Sequence, residues 1–185
     1  MKFESELKKE FESKIRKELM GKLGLKNLYQ VPTLEKITFN SGLGEAVKNP
    51  QAIDEMVEDF TVITGQKPVV TKSKSSISNF KIREGLPIGV KVTLRGIRMW
   101  YMFEKLVHIV LPRVKDFRGM PDRAFDGNGN YSFGFRDQFV FPEIDTSVVR
   151  KPRGLQVIIS MSNNNDDLSR EVLTALGFPF IKRNK

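Results

Sequence analysis

The stretch IGVKVTLRG, residues 88–96, alternates an apolar side chain with glycine or a polar one. Successive side chains of a β-strand point to opposite faces of a sheet, so this period of two predicts a strand with one buried face and one polar face. LEKITFN, residues 34–40, repeats the pattern, and LQVIISM, residues 155–161, also reads as a strand. Because these strands alternate, they are typical of an antiparallel sheet.

Helices and shorter strands lie between these segments. Apolar residues recur at every fourth position from Phe3 to Leu19, which predicts an N-terminal helix over residues 2–22. Pro and Gly signals predict further helices from Pro50 to Gly65, over residues 99–110 before Pro112, and from Asn165 or Asp166 to Gly177. One more strand is expected at residues 69–71, and the alternation of Tyr131, Phe133 and Phe135 is typical of an edge strand or an extended loop.

The order of these elements predicts the α+β class, with an antiparallel sheet whose helices pack on one face. We expect residues 1–185 to form a single domain, with the N-terminal helix on or beside it. The opposite sheet face is then polar and basic, which suits phosphates, ribose hydroxyls and base edges. Its predicted members are Lys36, Thr38, Asn40, Lys91, Thr93, Arg95, Gln156 and Ser160.

The positive charge of the chain is concentrated in one segment. The chain has 31 basic and 22 acidic residues, a net charge of +9, and residues 65–96 hold seven bases against one acid, a net charge of +6. Such clustering indicates a polyanionic partner, either nucleic acid or an anionic membrane. Within TKSKSSISNFKIREGLPIG, residues 71–89, the apolar Ile77 and Phe80 do not suit a purely solvated loop, which favours contact with a partner.

Several kinds of protein are disfavoured by composition. The chain has no cysteine, which excludes disulfides, thiolate catalysis and cysteine metal sites. The N-terminus lacks the apolar core of a signal peptide, and no apolar run is long enough to span a bilayer. We therefore expect a soluble, intracellular protein.

Two motifs and the single histidine are better explained as structural features than as cofactor, metal or catalytic sites. SGLGEA, residues 41–46, has Val47 where a dinucleotide loop needs its third glycine, so a tight turn is favoured. DGNGNY, residues 126–131, has Tyr131 where a calcium loop needs glycine, so a turn is favoured there too. His108 is the only histidine and has no nucleophile or second ligand to work with. No catalytic residue, metal site or cofactor is predicted.

Two alternatives to a nucleic-acid-binding protein remain open at this point. A nucleic-acid-processing enzyme with a basic groove fits the charge, although the sequence shows no cluster of metal ligands. A membrane-surface protein anchored by the N-terminal helix is the other alternative. That helix carries seven bases and five acids over residues 2–22, which is too balanced for strong binding to anionic lipid.

A family resemblance extends over nearly the whole chain, from Val31 to Phe180. It is carried by the blocks VPTLEKITFNSGLGEA, TGQKPVVTKSKSSISNFKIREGLPIGVKVTLRG, RMWYMFEKL, LPRVKDFRG, FDGNGNYSFGFRDQFVFPEID and LGFPF. These blocks resemble the bacterial large-subunit ribosomal protein five family, the 5S rRNA-binding proteins of the central protuberance. The resemblance implies an α+β domain that is cytoplasmic and ribosome-bound, with no enzymatic activity, cofactor, small-molecule substrate or membrane partner.

The resemblance also implies a 5S rRNA site on the polar face of the sheet. The family's recognition positions are an asparagine ending the first strand, a glutamine after the second helix and a threonine in the VTLRG strand. Asn40, Gln66 and Thr93 occupy them here. The neighbouring polar-face residues expected to contact 5S rRNA are Lys36, Thr38, Lys91 and Arg95.

Other surfaces are implied to contact other partners, which include large-subunit rRNA. In the family, the loop at residues 73–85 reaches toward the P-site tRNA, and the region of residues 117–134 resembles the surface that bridges to protein thirteen of the small-subunit head. We expect the loop to be hairpin-like and mobile until it is engaged. Its expected tRNA-contacting residues are Lys72, Lys74, Ser75, Ser76, Ser78, Asn79, Lys81 and Arg83.

Overall fold

The structure, a computed structural model, describes residues 5–145, 151–163 and 165–181. Its strands form a five-stranded antiparallel sheet in the order β2-β3-β1-β5-β4. The strands are β1 (Leu34–Gly42), β2 (Val69–Lys72), β3 (Pro87–Leu94), β4 (Tyr131–Phe135) and β5 (Leu155–Met161). The predicted α+β class is confirmed, and four of the five strands were predicted as strands. Tyr131–Phe135, which the sequence left open between an edge strand and an extended loop, is a strand at the edge of the sheet.

Four main helices accompany the sheet. Helix α1 consists of Glu6–Glu10, a π-helical turn at Phe11–Ile15, and Arg16–Lys22. Helix α2 is Gln51–Thr64, and α3 consists of Gly96–Lys105, a π-helical turn at Leu106–Val110, and Leu111–Arg113. Helix α4 is Asp166–Ala175, and short 3-10 turns lie at Leu28–Gln30, Gly44–Val47, Ser78–Phe80 and Gln138–Val140. Residues 2–4 of the predicted N-terminal helix lie outside the described residues.

Helix ends follow the predicted signals at two positions. Gly65 closes α2 in the left-handed conformation, with φ of 64°. At the start of α4, the side chain of Asn165 accepts hydrogen bonds from the N–H groups of Asp167 and Leu168. Asn165 is therefore the N-cap, and Asp166 is the first helical residue.

The third predicted helix had the wrong ends. It begins at Gly96 rather than Met99 and continues through Pro112 to Arg113. A proline in a regular helix lacks a donor and crowds the carbonyl group one turn earlier, so it was expected to stop the helix. Here the hydrogen-bond ladder has already changed at the π-helical turn of residues 106–110, just before the proline.

The alternation of the strands separates a buried face from a polar one, as predicted. The apolar residues of the buried face are at most 2% exposed: Ile37, Phe39, Val90, Val92, Val157 and Ile159. The polar face is less open than expected, because Thr38 is only 6% exposed and Ser160 only 7%. Their short hydroxyl side chains sit on strands that have a neighbour on each side.

Gly89 on β3 is required by a close approach of the backbone. A Cβ atom at this position would lie 2.7 Å from the carbonyl oxygen of Ser41 and 2.8 Å from Oγ1 of Thr71. The residue pairs with Thr71 in the antiparallel β2–β3 ladder, whose register then shifts before Lys72. Only glycine lets the strands come this close without displacing the backbone of residue 41.

The contacts divide the chain into two compact units, and each has an aromatic core. Unit 1 comprises residues 1–37, 94–133 and 158–185, and unit 2 comprises residues 38–93 and 134–157. In unit 1 the ring centroids of Phe11 and Trp100 lie 5.4 Å apart, and Tyr131 and Phe178 lie 5.3 Å apart edge-on. The single-domain organisation of residues 1–185 stays a prediction.

Unit 2 has its own aromatic cluster. Phe39 of β1 packs edge-on against Phe60 of α2 at 6.2 Å and against Phe141 at 6.1 Å. Phe135 of β4 also contacts Phe141, at 5.7 Å. Phe39 is thus packed between two rings. Its neighbour on β1, Asn40, points to the opposite face of the sheet, so this packing helps to position Asn40 there.

Candidate nucleic-acid interface

Two threonines meet on the polar face of unit 2. Thr38 of β1 and Thr93 of β3 lie on neighbouring strands, and their Oγ1 atoms are 3.5 Å apart. Thr93 is half-buried, whereas Thr38 is almost fully buried. The hydroxyl group of Thr93 is therefore the more accessible of the two to a partner, and it can both donate and accept a hydrogen bond.

Gln66 is held beside Thr93 by the turn that follows α2. Its side-chain Nε2 donates to the carbonyl oxygen of Thr93 at 3.3 Å, and its backbone N–H donates to Oγ1 of Thr64 at 3.3 Å. Gly65 makes this turn possible through its left-handed backbone. The structure thus brings together two of the three residues expected to recognise 5S rRNA.

Asn40 and Lys91 add a free amide and a free cation to the same unit. Asn40 is half-buried on β1, and its side chain has no hydrogen-bond partner among the described residues. Lys91 is exposed on β3 and pairs with no carboxylate in the described part of the chain. An amide and an ammonium group without internal partners are available to base edges and phosphates.

Lys36 and Arg95 belong to unit 1. Lys36 is half-buried on β1, and Arg95 is exposed. Arg95 lies just after β3, as the residue before helix α3, rather than within the strand. Its Nη1 is 3.9 Å from Oε1 of Glu35, and both side chains are more than half exposed, so this ion pair is weak enough to open for another anion.

The predicted loop is a short hairpin with its own hydrogen bonds. Ile77 and Ile82 exchange backbone hydrogen bonds, N to O at 2.9 and 3.1 Å, around the 3-10 turn Ser78–Phe80. Lys81 closes the turn in the left-handed conformation, with φ of 56°. At the base of the hairpin, the N–H of Ser73 donates to Leu86 O and the N–H of Gly85 donates to Ser73 O. The hairpin-like shape is confirmed.

The hairpin presents both charge and apolar surface. The cations of the hairpin and of the adjoining end of β2 have no carboxylate partner among the described residues, and all are exposed: Lys72, Lys74, Lys81 and Arg83. Phe80 at the tip is 69% exposed and Ile77 is 42% exposed. The polar side chains of Ser75, Ser78 and Asn79 are exposed as well, while the Oγ of Ser76 accepts a hydrogen bond from the N–H of Glu84 at 3.0 Å.

An ion-pair network around the buried Arg153 in unit 2 had no signal in the sequence. Arg153 is 6% exposed and donates to Glu45 Oε1 at 2.7 Å and to Glu55 Oε2 at 2.6 Å, while Lys151 also pairs with Glu45. Hydrogen bonds from Arg153 and Lys151 lower the pKa of the Glu45 carboxyl. The partners of Arg153 are 98 and 108 residues away in sequence, so spacing along the chain does not reveal them.

The turn motif of residues 126–131 is satisfied from within the protein. Oδ1 of Asp126 accepts from the N–H groups of Asn128 and Asn130, and the carboxylate of Asp166 accepts from those of Gly127 and Gly129. Gly129 has a positive φ, and a Cβ there would lie 2.3 Å from the carbonyl oxygen of Asn163. The motif is therefore a turn that ties the chain to the start of α4.

The single histidine and the carboxylates of the described residues are not gathered into a metal site. His108 is exposed on α3. Within the described ranges, no three His, Asp or Glu side chains gather as metal ligands. No helix in the described part of the chain is both long and apolar enough to cross a membrane.

Comparison with known proteins identifies the family. Residues 27–83 match the family model described as ribosomal protein L5, and residues 87–180 match the model that describes the C-terminus of the same ribosomal family. The large ribosomal subunit protein uL5 of Macrococcus caseolyticus (strain JCSC5402) is 51% identical over 176 residues, which cover 95% of this chain and 98% of that protein. The chain therefore belongs to the ribosomal protein L5 family, a family of structural, non-enzymatic ribosomal proteins.

Proposed function

We propose that this protein binds 5S rRNA and helps attach it to the central protuberance of the large ribosomal subunit. As a member of the L5 family it is a structural constituent of that subunit and is ribosome-bound in the cytoplasm. The observation that supports 5S rRNA binding is the placement of Gln66 against the Thr93 carbonyl, on a polar face where Asn40 has a free amide.

The chemistry of this face fits RNA better than a small molecule. Thr93 and Gln66 supply a hydroxyl and an amide, which bind ribose hydroxyls and base edges, and Lys91 supplies a charge for phosphate. In unit 1, Lys36 and Arg95 are further candidates for phosphate contacts. Thr38 is mostly buried, so its proposed role is to orient the Thr93 hydroxyl across 3.5 Å.

A filter-binding titration with 5S rRNA tests this proposal. Asn40→Ala and Thr93→Val should each weaken binding by about 1–2 kcal/mol, as the loss of a hydrogen bond does. Thr61→Val is the matched control, because Thr61 is an exposed threonine whose hydroxyl only bonds its own helix, at Val57 O. If both interface variants bind 5S rRNA as tightly as the control does, the polar face is not the binding site.

Salt dependence tests the contribution of the charges. If about six phosphates are neutralised, affinity should fall on the order of a thousandfold between low and moderate salt. Tight binding that does not change with salt would contradict this part of the proposal.

The hairpin of residues 73–85 is proposed to contact the P-site tRNA. Its support is the set of four exposed, unpaired cations, three within the hairpin and Lys72 at the end of β2, beside a turn that carries Phe80. Reversing two charges, Lys81→Glu with Arg83→Glu, should weaken P-site tRNA binding to reconstituted ribosomes while leaving 5S rRNA binding unchanged. Loss of 5S rRNA binding instead would assign the hairpin to the first interface.

A bridge to the small-subunit head is proposed for the region of residues 117–134. The region includes the exposed Arg118 and Arg123, beside the turn fixed by Asp126. A binding assay with the small-subunit head protein thirteen, comparing the wild type with Arg118→Glu and Arg123→Glu, tests the assignment. Unchanged binding by the double variant would exclude these two cations from the bridge.

A further inference from the structure

Tyr29 is the most exposed large apolar side chain of the described residues. Its ring is 82% exposed, and it lies in the 3-10 turn Leu28–Gln30 that follows helix α1. The turn lies in unit 1 and is distinct from both the Gln66–Thr93 face and the hairpin. At this exposure the ring is accessible to a partner, and the groups around it indicate what kind of partner it fits.

The backbone of the turn that carries Tyr29 is tied down by hydrogen bonds. Oδ1 of Asn27 accepts from the N–H of Tyr29 at 2.9 Å, and Oε1 of Gln30 accepts from the N–H of Asn27 at 3.4 Å, which together form a capping box. The side chain of Asn163 donates to the carbonyl oxygen of Gln30 at 3.5 Å. The turn is therefore fixed before any partner arrives, which reduces the entropy lost on binding.

One face of the ring is already covered by a guanidinium group. Cζ of Arg16 lies 4.9 Å from the ring centroid of Tyr29, and Nε of Arg16 donates to the carbonyl oxygen of Leu28 at 3.1 Å. The guanidinium is thus oriented by the backbone of the same turn. Because the ring remains 82% exposed, its other face is open to solvent.

The charge around this turn matches a nucleic acid. Residues 14–30 contain five basic residues and one acid, a net charge of +4. Lys22 is paired with Glu171 at 2.6 Å, but Lys14, Lys17 and Lys26 are exposed and have no carboxylate partner among the described residues. Lys17, next to Arg16, and Lys26, three residues before Tyr29, are the cations nearest in sequence to the ring and are available to the phosphates that flank a bound base.

We propose that Tyr29, backed by Arg16, is a stacking platform for an unpaired RNA base, and that it forms an RNA contact additional to the 5S rRNA face. Aromatic rings and guanidinium planes are the surfaces on which proteins stack unpaired bases. The proposal takes from the proposed function only the class of partner, RNA, and none of its residues.

The test uses the full chain and a ten-nucleotide single-stranded oligoribonucleotide with 2-aminopurine at its centre, whose fluorescence is quenched when the base stacks. The wild type should quench the probe. Tyr29→Leu keeps apolar bulk but loses the π-face, so it should abolish the quenching and weaken binding about fivefold to a hundredfold. Tyr29→Phe and Tyr29→Trp should keep both.

Tyr101→Leu is the matched control, because Tyr101 is an exposed tyrosine of the same unit, at 43%. Quenching and affinity that are equal in Tyr29→Leu and the wild type would overturn the proposal, and so would equal binding of an oligonucleotide that is abasic at the probe position. Failure of Asn40→Ala and Thr93→Val to affect 5S rRNA binding would refute only the sheet-face proposal, since those residues do not enter this assay.

Discussion

The side-chain Nε2 of Gln66 lies 3.3 Å from the carbonyl oxygen of Thr93 and donates a hydrogen bond to it. This bond joins the turn after α2 to the end of β3. Two positions that are 27 residues apart in sequence are thereby kept together before RNA binds. The arrangement reduces the side-chain entropy that binding would otherwise remove.

Gln66→Ala is expected to weaken 5S rRNA binding about fivefold to tenfold, as one lost hydrogen bond does. The same change should reduce the free energy of unfolding by at most about 1 kcal/mol, because the Thr93 carbonyl is only part-buried. Filter binding and a denaturant titration measure the two effects, with the exposed Gln51→Ala as the control. A large loss of stability without a change in affinity would make Gln66 a structural residue.

Gly89→Ala is expected to destabilise the fold by about 1–3 kcal/mol, because its Cβ would lie 2.7 Å from the backbone oxygen of Ser41. Gly42→Ala is a sharp control, since a Cβ at that position meets nothing within 4 Å. Thermal unfolding of the two variants should therefore differ clearly. Equal midpoints would show that β1 and β3 separate at little cost.

Arg153→Ala is expected to lower the free energy of unfolding by about 2–4 kcal/mol, since it leaves Glu45 and Glu55 without their buried cation. Both carboxylates are partly exposed, so the loss should be smaller than for a fully buried pair. The exposed Arg136→Ala should change stability by less than about 0.5 kcal/mol. Denaturant unfolding of both variants gives the comparison, and similar values would mean that the network contributes nothing.

Asp59 should make the free energy of unfolding fall as the pH rises. Burial raises the pKa of its carboxyl above the ordinary value of 3.8, so the folded state binds the proton more tightly than the unfolded state does. The stability that this proton contributes is complete below pH 3.8 and is lost as the pH rises through the folded pKa. At neutral pH the partly buried, ionised carboxylate of Asp59 is therefore unfavourable for folding.

Asp59→Asn should consequently raise the melting temperature at pH 7, and the gain should shrink as the pH is lowered toward 3.8. The asparagine keeps an oxygen that accepts from Nε2 of Gln138, which lies 3.5 Å from the carboxylate in the wild type. Calorimetric melts of both proteins across this pH range measure the difference. A gain that grows with acidity would have the wrong sign.

The elements that sequence analysis predicted well are those decided by local patterns. In β3, the apolar Val92 is buried and the polar Thr93 is partly exposed, because only one face of the strand is covered. The same alternation of apolar and polar residues is visible in the sequence. The predicted end of α3 was wrong. We expected Pro112 to stop the helix because proline interrupts the hydrogen bonds of a regular α-helix, but here those hydrogen bonds already change at the π-helical turn before Pro112.

Features that depend on distant residues could not be predicted from the sequence. The burial of Thr38 depends on its neighbouring strands, and the role of Arg153 depends on carboxylates about a hundred residues away. Tyr29 escaped notice because its ring becomes a platform only through Arg16, which lies on helix α1. The recognition positions Asn40, Gln66 and Thr93 came from family resemblance, and alternation independently placed Asn40 and Thr93 on the polar face.

Hydrogen exchange should show that the hairpin of residues 73–85 opens easily in the isolated protein. Ile77 and Ile82 exchange two backbone hydrogen bonds, yet the residues from Lys74 to Lys81 are all exposed, so little apolar burial supports those bonds. A two-stranded hairpin of this kind is marginally stable in water. The amide hydrogens of Ile77 and Ile82 should therefore exchange orders of magnitude faster than that of Val92, which is 2% exposed in the sheet. Protection equal to that of Val92 would mean that the hairpin is already fully formed before it meets RNA.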